Sequence, residues 1–345
     1  MGKKIYSGIG GQAVMEGILM RNGKDSAIAV RKPDGEIELK RETTSAYGDT
    51  HKWASWPVIR GVVAFVESMV YGMKSLMWSA SFMEVEDEPK KTKADASENK
   101  TGESEAETDA KAAEAEPEDG KKKTGKQGLS NSEMTFTLIF AVILAIGIFV
   151  VLPTVLGNLF RRWIDSPVLI ALIEGLIRVV IFIGYLLLIS GMKEILRTYM
   201  YHGAEHKCIN CIESGLPLTA ENVMKSSKEH RRCGTSFLLF VVLISVVLFM
   251  FLRIDNLFFR ILSRILLVPV IAGLSYELIR LNGRFDNKLT YVLSRPGMWL
   301  QKLTTKEPTE DMAEVAIRAV EEVFDWRTFL RENFEVDDAG VSKTE

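Results

Sequence analysis

The chain has little histidine and little cysteine, four of the first and three of the second in 345 residues. Three cysteines cannot all pair. Their positions, Cys208, Cys211 and Cys233, argue against a disulfide framework and for ligands or free thiols in a reducing compartment. Charge bias is also missing: 43 basic and 45 acidic residues leave a net charge of -2, so no nucleic-acid partner is expected on electrostatic grounds. The glycine-rich stretch from Gly8 to Arg21 lacks both GxGxxG and Walker spacing, which removes the usual phosphate cradles. The opening Met-Gly-Lys-Lys runs on without an apolar h-region, and Tyr6 stands where myristoylation needs Ser or Thr. Neither a cleavable signal nor that lipid anchor is expected. From Glu86 to Gly128 there is no Val, Ile, Leu, Met or aromatic residue. Such a stretch cannot offset an ordering entropy of ~1–2 kcal/mol per residue and reads as a disordered linker.

What is present is segregated. Met134 to Phe160 is 27 residues without a formal charge and Gly234 to Leu252 is 19, each long enough to cross a bilayer. Ser166 to Met192 is a third apolar run, broken by Glu174 and Arg178, and Ile265 to Leu281 a shorter fourth, with Glu277 and Arg280 near its end. The expected fold class is mainly α, a polytopic helical membrane protein of about four spans. Basic residues crowd the segments before the first run, between the second and third, and after the fourth. Both termini and the segment between the second and third runs are therefore expected on the cytosolic side of a cytoplasmic (inner) membrane. Charged residues at membrane depth are site candidates by default, so Glu174, Arg178 and Glu277 are kept, with Glu174 and Arg178 spaced to neutralise each other.

Outside the runs, Ala27 to Arg31 and Glu36 to Lys40 alternate around Lys32-Pro33-Asp34-Gly35, which predicts a β-hairpin in a small cytosolic N-terminal unit, residues 1–52. Residues 53–84 read as an interfacial or membrane-dipping helix, with Arg60, Glu67 and Lys74 seven apart on one stripe and Trp53, Trp56 and Trp78 suited to the interface; a spanning helix is the rival. The linker occupies 85–133, the membrane domain 134–282 with a cytosolic loop at 197–233, and a cytosolic helical region 283–345. In that last region Met312, Val315, Ala316, Ala319, Val320 and Phe324 fall on one side of a helix.

Three of the four histidines fall in two short segments, Tyr201-His202-Gly203-Ala204-Glu205-His206-Lys207 and His230-Arg231-Arg232-Cys233-Gly234. On a helix His202 and His206 share a face, and His-x-x-Glu-His is the inverted zincin order, two imidazoles for a metal and a carboxylate to act on water. An open site would take its third ligand from Glu16, His230 or Cys233, with Glu205 as general base and zinc as the expected divalent ion. Arg21, with Glu16, is expected to face that site. A closed Cys₃His site built from Cys208, Cys211, His230 and Cys233 is the alternative, and a hydrogen-bonded cluster without metal the third reading.

Gly10-Gly11-Gln12-Ala13-Val14-Met15-Glu16-Gly17, the His202 segment and Arg232-Cys233-Gly234-Thr235-Ser236-Phe237, in this order, resemble the YqhQ-type family of bacterial membrane proteins. The resemblance implies a metal-dependent enzyme of undetermined reaction, with His202, Glu205, His206, His230 and Cys233 at the motif positions. The expected function is then a metal-dependent hydrolase at the cytosolic membrane surface, with the lipid bilayer as partner. A non-catalytic assembly or sensor protein and a transporter are the competing classes, the latter without a visible inverted repeat.

Overall fold

The computed structural model describes residues 5–45, 47–83, 131–252, 254–284 and 287–334. The expected linker up to residue 130 and residues 335–345 of the expected C-terminal region lie outside the described residues.

The N-terminal unit is a meander of four antiparallel strands, β1 (Gly10–Val14), β2 (Gly17–Asn22), β3 (Asp25–Arg31) and β4 (Ile37–Thr43), in the order β1-β2-β3-β4. The expected hairpin is β3–β4, with Ala29 opposite Leu39. The glycine-rich segment supplies a second, β1–β2, closed by a two-residue turn in which Glu16 takes φ 47°. Ala27, Ile28, Ala29 and Val30 form a continuous apolar run because both faces of β3 are covered. Ile18, Met20, Ala27 and Ala29 face one core, while Val14, Leu19, Ile28 and Val30 face Trp78 and Phe82.

A short α1 (Tyr47–Thr50) and a 3₁₀ turn lead to α2 (Ile59–Ala80), where the sequence expects an interfacial helix. Arg60 at its start is ion-paired with Glu277, and at its other end Ser79 accepts the Met15 N–H. Helix α2 thus joins the membrane bundle to the sheet.

Four helices are long and apolar enough to cross a membrane, at Thr135–Arg162, Pro167–Ile189, Gly234–Phe251 and Leu257–Asn282. The first comprises α3 (Asn131–Ile146), a π-helical turn at Gly147–Val151 and α4 (Leu152–Leu159). The others are α5 (Pro167–Ile189), α8 (Gly234–Phe251) and α9 (Leu257–Arg284). Between α5 and α8 the expected loop is mostly helical, α6 (Lys193–Glu213) and α7 (Ala220–Lys225). After α9 come α10 (Lys288–Thr304), α11 (Glu310–Glu321) and α12 (Trp326–Asn333). The apolar stripe read at Met312 to Val320 packs α11 against α6, β2 and β3.

Two expectations inside the bundle are corrected. The fourth membrane helix begins at Leu257, eight residues before the apolar run, because Arg260 and Arg264 are buried against Asn158 and Thr154 of α4 instead of ending the span. Glu174 is ion-paired with Arg264, whereas Arg178 donates to the Phe149 carbonyl at 2.9 Å and to Ser245 Oγ at 3.3 Å. The neighbouring charges on α5 therefore look to different helices. The Phe149 carbonyl lies in the π-helical turn, where the backbone ladder is locally rearranged and a carbonyl is available to a side chain.

Helix α6 is the centre of the region beyond the bundle. From Gly203 to Glu213 every residue is buried, including Glu205, His206, Lys207, Asn210 and Glu213. A helix this polar is not buried by hydrophobicity alone; its polar groups need partners that fix them in place.

Candidate functional site

His202 and His206 lie one turn apart on α6, with ring centroids 4.3 Å apart. Cys233 approaches them from the start of α8, its Sγ 3.1 Å from His202 Nε2. One ligand atom from each of His202, His206 and Cys233 fits within 4.8 Å of the others. The two segments are brought together as antiparallel neighbours would be: α5 leads into α6, and α8 starts at Cys233.

Backbone carbonyls fix both imidazoles. His202 Nδ1 donates to the Thr304 carbonyl at 2.9 Å and His206 Nδ1 to that of Lys228 at 2.7 Å. A carbonyl only accepts, so each Nδ1 carries a proton and each Nε2 is the atom turned to the cluster. His206 Nε2 is buried and turned toward Cys233.

Cys233 caps α8, with the Thr235 N–H donating to Sγ at 3.4 Å. Burial alone would raise its thiol pKa, but the charges of His202 and His206 hold it well below the ordinary range. Reciprocally, burial pulls His202 down and the Cys233 thiolate more than reverses this, raising it to about 9. The two shifts favour each other across the 3.1 Å contact: positive charge on the imidazole favours the thiolate, and the thiolate favours the imidazolium. The nearby cations are engaged with other groups: Lys207 with Glu307, Arg232 with Glu213, and Arg231 over the Tyr291 ring.

Glu205 sits between the histidines on α6, and burial raises its pKa despite the two imidazoles and the N–H it accepts from Gly11. A Cβ at Gly11 would lie 3.0 Å from the Glu205 carboxyl carbon and 2.7 Å from the Leu19 carbonyl oxygen. Glycine at 11 is therefore what lets β1 touch the carboxylate. Gly203 has a parallel role, because a Cβ there would collide with the Lys306 carbonyl. Its absence admits the segment 304–308, at whose start the Thr304 carbonyl orients His202.

Further polar groups of α6 hold the segment that carries Lys228 and His230. Lys207 Nζ donates to the Met224 and Ser226 carbonyls at 2.6 and 2.9 Å, and Asn210 Nδ2 to those of Ser227 and Glu229 at 2.7 and 3.0 Å. Fully buried Gln301 of α10 clamps the His230 backbone, accepting its N–H at 2.9 Å and donating to its carbonyl at 2.7 Å. Sequence reasoning passed over Thr304 and Gln301; the only signal was polar residues on the inner face of an otherwise amphipathic helix.

Other sequence candidates lie apart from the three-residue cluster. His230 is near, its ring 5.6 Å from that of His206, but its Nε2 faces Glu213 at 3.4 Å. Cys211 Sγ donates to the Pro217 carbonyl at 3.3 Å and Cys208 is buried in the apolar core, so the four residues of the closed Cys₃His reading are not gathered. Glu16 is ion-paired with Arg197 and accepts from the Tyr201 hydroxyl at 3.2 Å. Glu174, Arg178 and Glu277 are engaged within the bundle or with α2. Arg21 lines a cleft of about 320 Å³ with Gly10, Gly11, Gln12, Ser68 and Tyr71. That cleft reaches Gly11, the residue whose N–H meets Glu205.

The fold and the site define a class: a helical protein with four membrane-crossing segments in length and composition, carrying a His₂Cys cluster and a buried glutamate where α6, α8 and α10 meet. The chain belongs to the family described as "Protein of unknown function (DUF1385)", which matches residues 56–326. It is 31% identical over 331 residues, 96% of either chain, to the uncharacterized protein YqhQ of Bacillus subtilis (strain 168). The resemblance read from the three motifs thus holds over nearly the whole length. No solved structure matches the chain.

Proposed function

We propose that this protein is a metal-dependent hydrolase working at the cytosolic surface of the cytoplasmic membrane, with His202, His206 and Cys233 holding a divalent ion, zinc before others. The observation that carries the reading is the convergence of three donor atoms, one each from His202, His206 and Cys233 within 4.8 Å of one another, with both imidazoles oriented through Nδ1–H to carbonyl bonds. Imidazoles held through Nδ1, with a thiolate as third donor, form the donor set and outer support of a three-ligand zinc site. Zinc so held supplies Lewis-acid polarisation of a substrate carbonyl or phosphoryl oxygen.

The residues of the chain account for the rest. Glu205 is a carboxylate whose proton affinity is raised by burial, suited to take a proton from water and return it to a leaving group. The Gly11 N–H orients that carboxylate, and the cleft beside Gly11 offers an approach for substrate. Thr304 and Lys228 carbonyls keep the imidazoles from rotating.

The test is a comparison of wild type with Glu205→Gln, both zinc-loaded and reconstituted with a bacterial polar lipid extract and membrane peptides, with products read by mass spectrometry. Products carrying the elements of water should form with the wild type and not with the variant, at equal zinc content. Equal product patterns in both would remove Glu205 from the chemistry. A second reading has its own support: His202, His206 and Cys233 each tie a different segment to α6, so the cluster could serve as a staple in an assembly or sensor protein. On that reading Glu205→Gln would change nothing that depends on folding or metal.

A further inference from the structure

Far from the His₂Cys cluster, at the other end of the bundle, lies a second group of buried charges that the proposed hydrolase does not use. Arg260 is 2% exposed and donates to Asn158 Oδ1 at 2.7 Å. One turn deeper, Arg264 is 2% exposed, bonded to Thr154 and ion-paired with Glu174. Deeper again is Arg178, 4% exposed, against the Phe149 carbonyl and Ser245. At the rim Arg161 reaches Asp255 only at 3.5 Å, and that aspartate is fully exposed.

The charges do not balance. Four guanidinium groups face two carboxylates, one of them in solvent. Arg161 Nε, Arg260 Nε, Arg264 Nε and Arg178 Nη2 are all buried without hydrogen-bond partners. A buried ion without a counter-ion is costly, and the bonds to Asn158, Thr154 and Ser245 and the Phe249 ring beside Arg178 and Arg264 supply no negative charge. At 1.5 Å per residue, Arg260 and Arg264 lie roughly 5 and 10 Å inside the start of α9. The start of a membrane-crossing helix is where a bilayer offers headgroups in place of acyl chains.

We infer that Arg161, Arg260 and Arg264 form a binding site for a phosphate-bearing anion, entered from the rim of the bundle, with Arg178 adding positive potential from below. Guanidinium forks match phosphate oxygens in spacing and charge, and a phosphomonoester at neutral pH carries close to the two negative charges that are missing, where a carboxylate or chloride carries one. The site is closed toward the His₂Cys end. Phe182, Leu186, Leu239, Val242 and Leu300 form an apolar layer between the two. It is a pocket for a headgroup or ion, not part of a continuous polar route.

The test uses the full-length protein in neutral detergent, titrated separately with dioctanoyl phosphatidic acid, dioctanoyl phosphatidylcholine, inorganic phosphate and chloride, with melting temperature as the readout. Phosphatidic acid should give a saturating rise in Tm, and phosphatidylcholine, whose phosphodiester is neutralised by its own ammonium, little or none. A rise of equal size with inorganic phosphate would support the site and identify a free anion as its ligand. No rise with either phosphate compound, or the same rise with chloride, would overturn the proposal. Arg260→Gln and Arg178→Gln should each shift the titration midpoint at least tenfold. In case Arg178→Gln does not fold, Arg260→Gln at the rim carries the test alone, and an unchanged midpoint there would place the anion elsewhere.

Discussion

Residue by residue, the cluster is specified by groups that flank the chemistry as much as by those that would perform it. Changing Gly203 to alanine adds one methyl group, yet that methyl collides with the Lys306 carbonyl and pushes away the segment that orients His202. The expected outcome is a loss of roughly 1–3 kcal/mol or more in unfolding free energy together with weakened metal retention, whereas alanine at the neighbouring exposed Gly191 should do neither. Thermal melts with metal analysis of both variants check this. Two of the site residues were legible in the sequence because His202 and His206 obey helical spacing, and Cys233 because it opens an apolar run. The carbonyls of Thr304 and Lys228 were not legible, since a main-chain acceptor leaves no trace in residue identity and the first lies 102 residues from the histidine it orients. From the glycine-rich segment the sequence points to Glu16 and Arg21 as facing the histidines. That segment's contribution instead comes from Gly11, through an N–H and a missing side chain.

Among the elements, α10 shows how a helix assigned to a separate cytosolic region becomes part of the site. Gln301 makes both hydrogen bonds to the His230 backbone from a fully buried position. Gln301→Leu keeps the volume and removes both bonds, leaving a buried donor and acceptor unsatisfied at about 1–3 kcal/mol each. The variant should melt lower and exchange the amides of residues 226–233 faster, which hydrogen-exchange mass spectrometry measures; unchanged protection would mean that Gln301 only fills space. Spans were readable where runs were uncharged, as in α3 and α8. The start of α9 was hidden because Arg260 and Arg264 look like an end to a hydrophobic stretch until Asn158, Thr154 and Glu174 are seen beside them. Sequence separation, about 90–110 residues for these pairs, is what concealed it.

In the whole molecule, the sheet, α6 and α11 share one core, so the segments before and after the membrane helices fold together and are not independent appendages. That arrangement requires β1 and α11 to be on the same side of the bilayer as the cluster. We expect cysteine labels at Asn158 and Asn256, in a background that lacks Cys208 and Cys211 but keeps the buried Cys233, to react only from the face opposite to labels at Lys225; reaction of all three from one face would contradict four crossings. The account stands or falls on whether α6 and α8 share a metal. The most direct measurement is elemental analysis of the purified full-length protein beside His202→Ala/His206→Ala and Cys233→Ser. The prediction is stoichiometric zinc, or another divalent transition metal, in the wild type, none in the double variant and a clear reduction in Cys233→Ser; metal content that is the same in all three would contradict it.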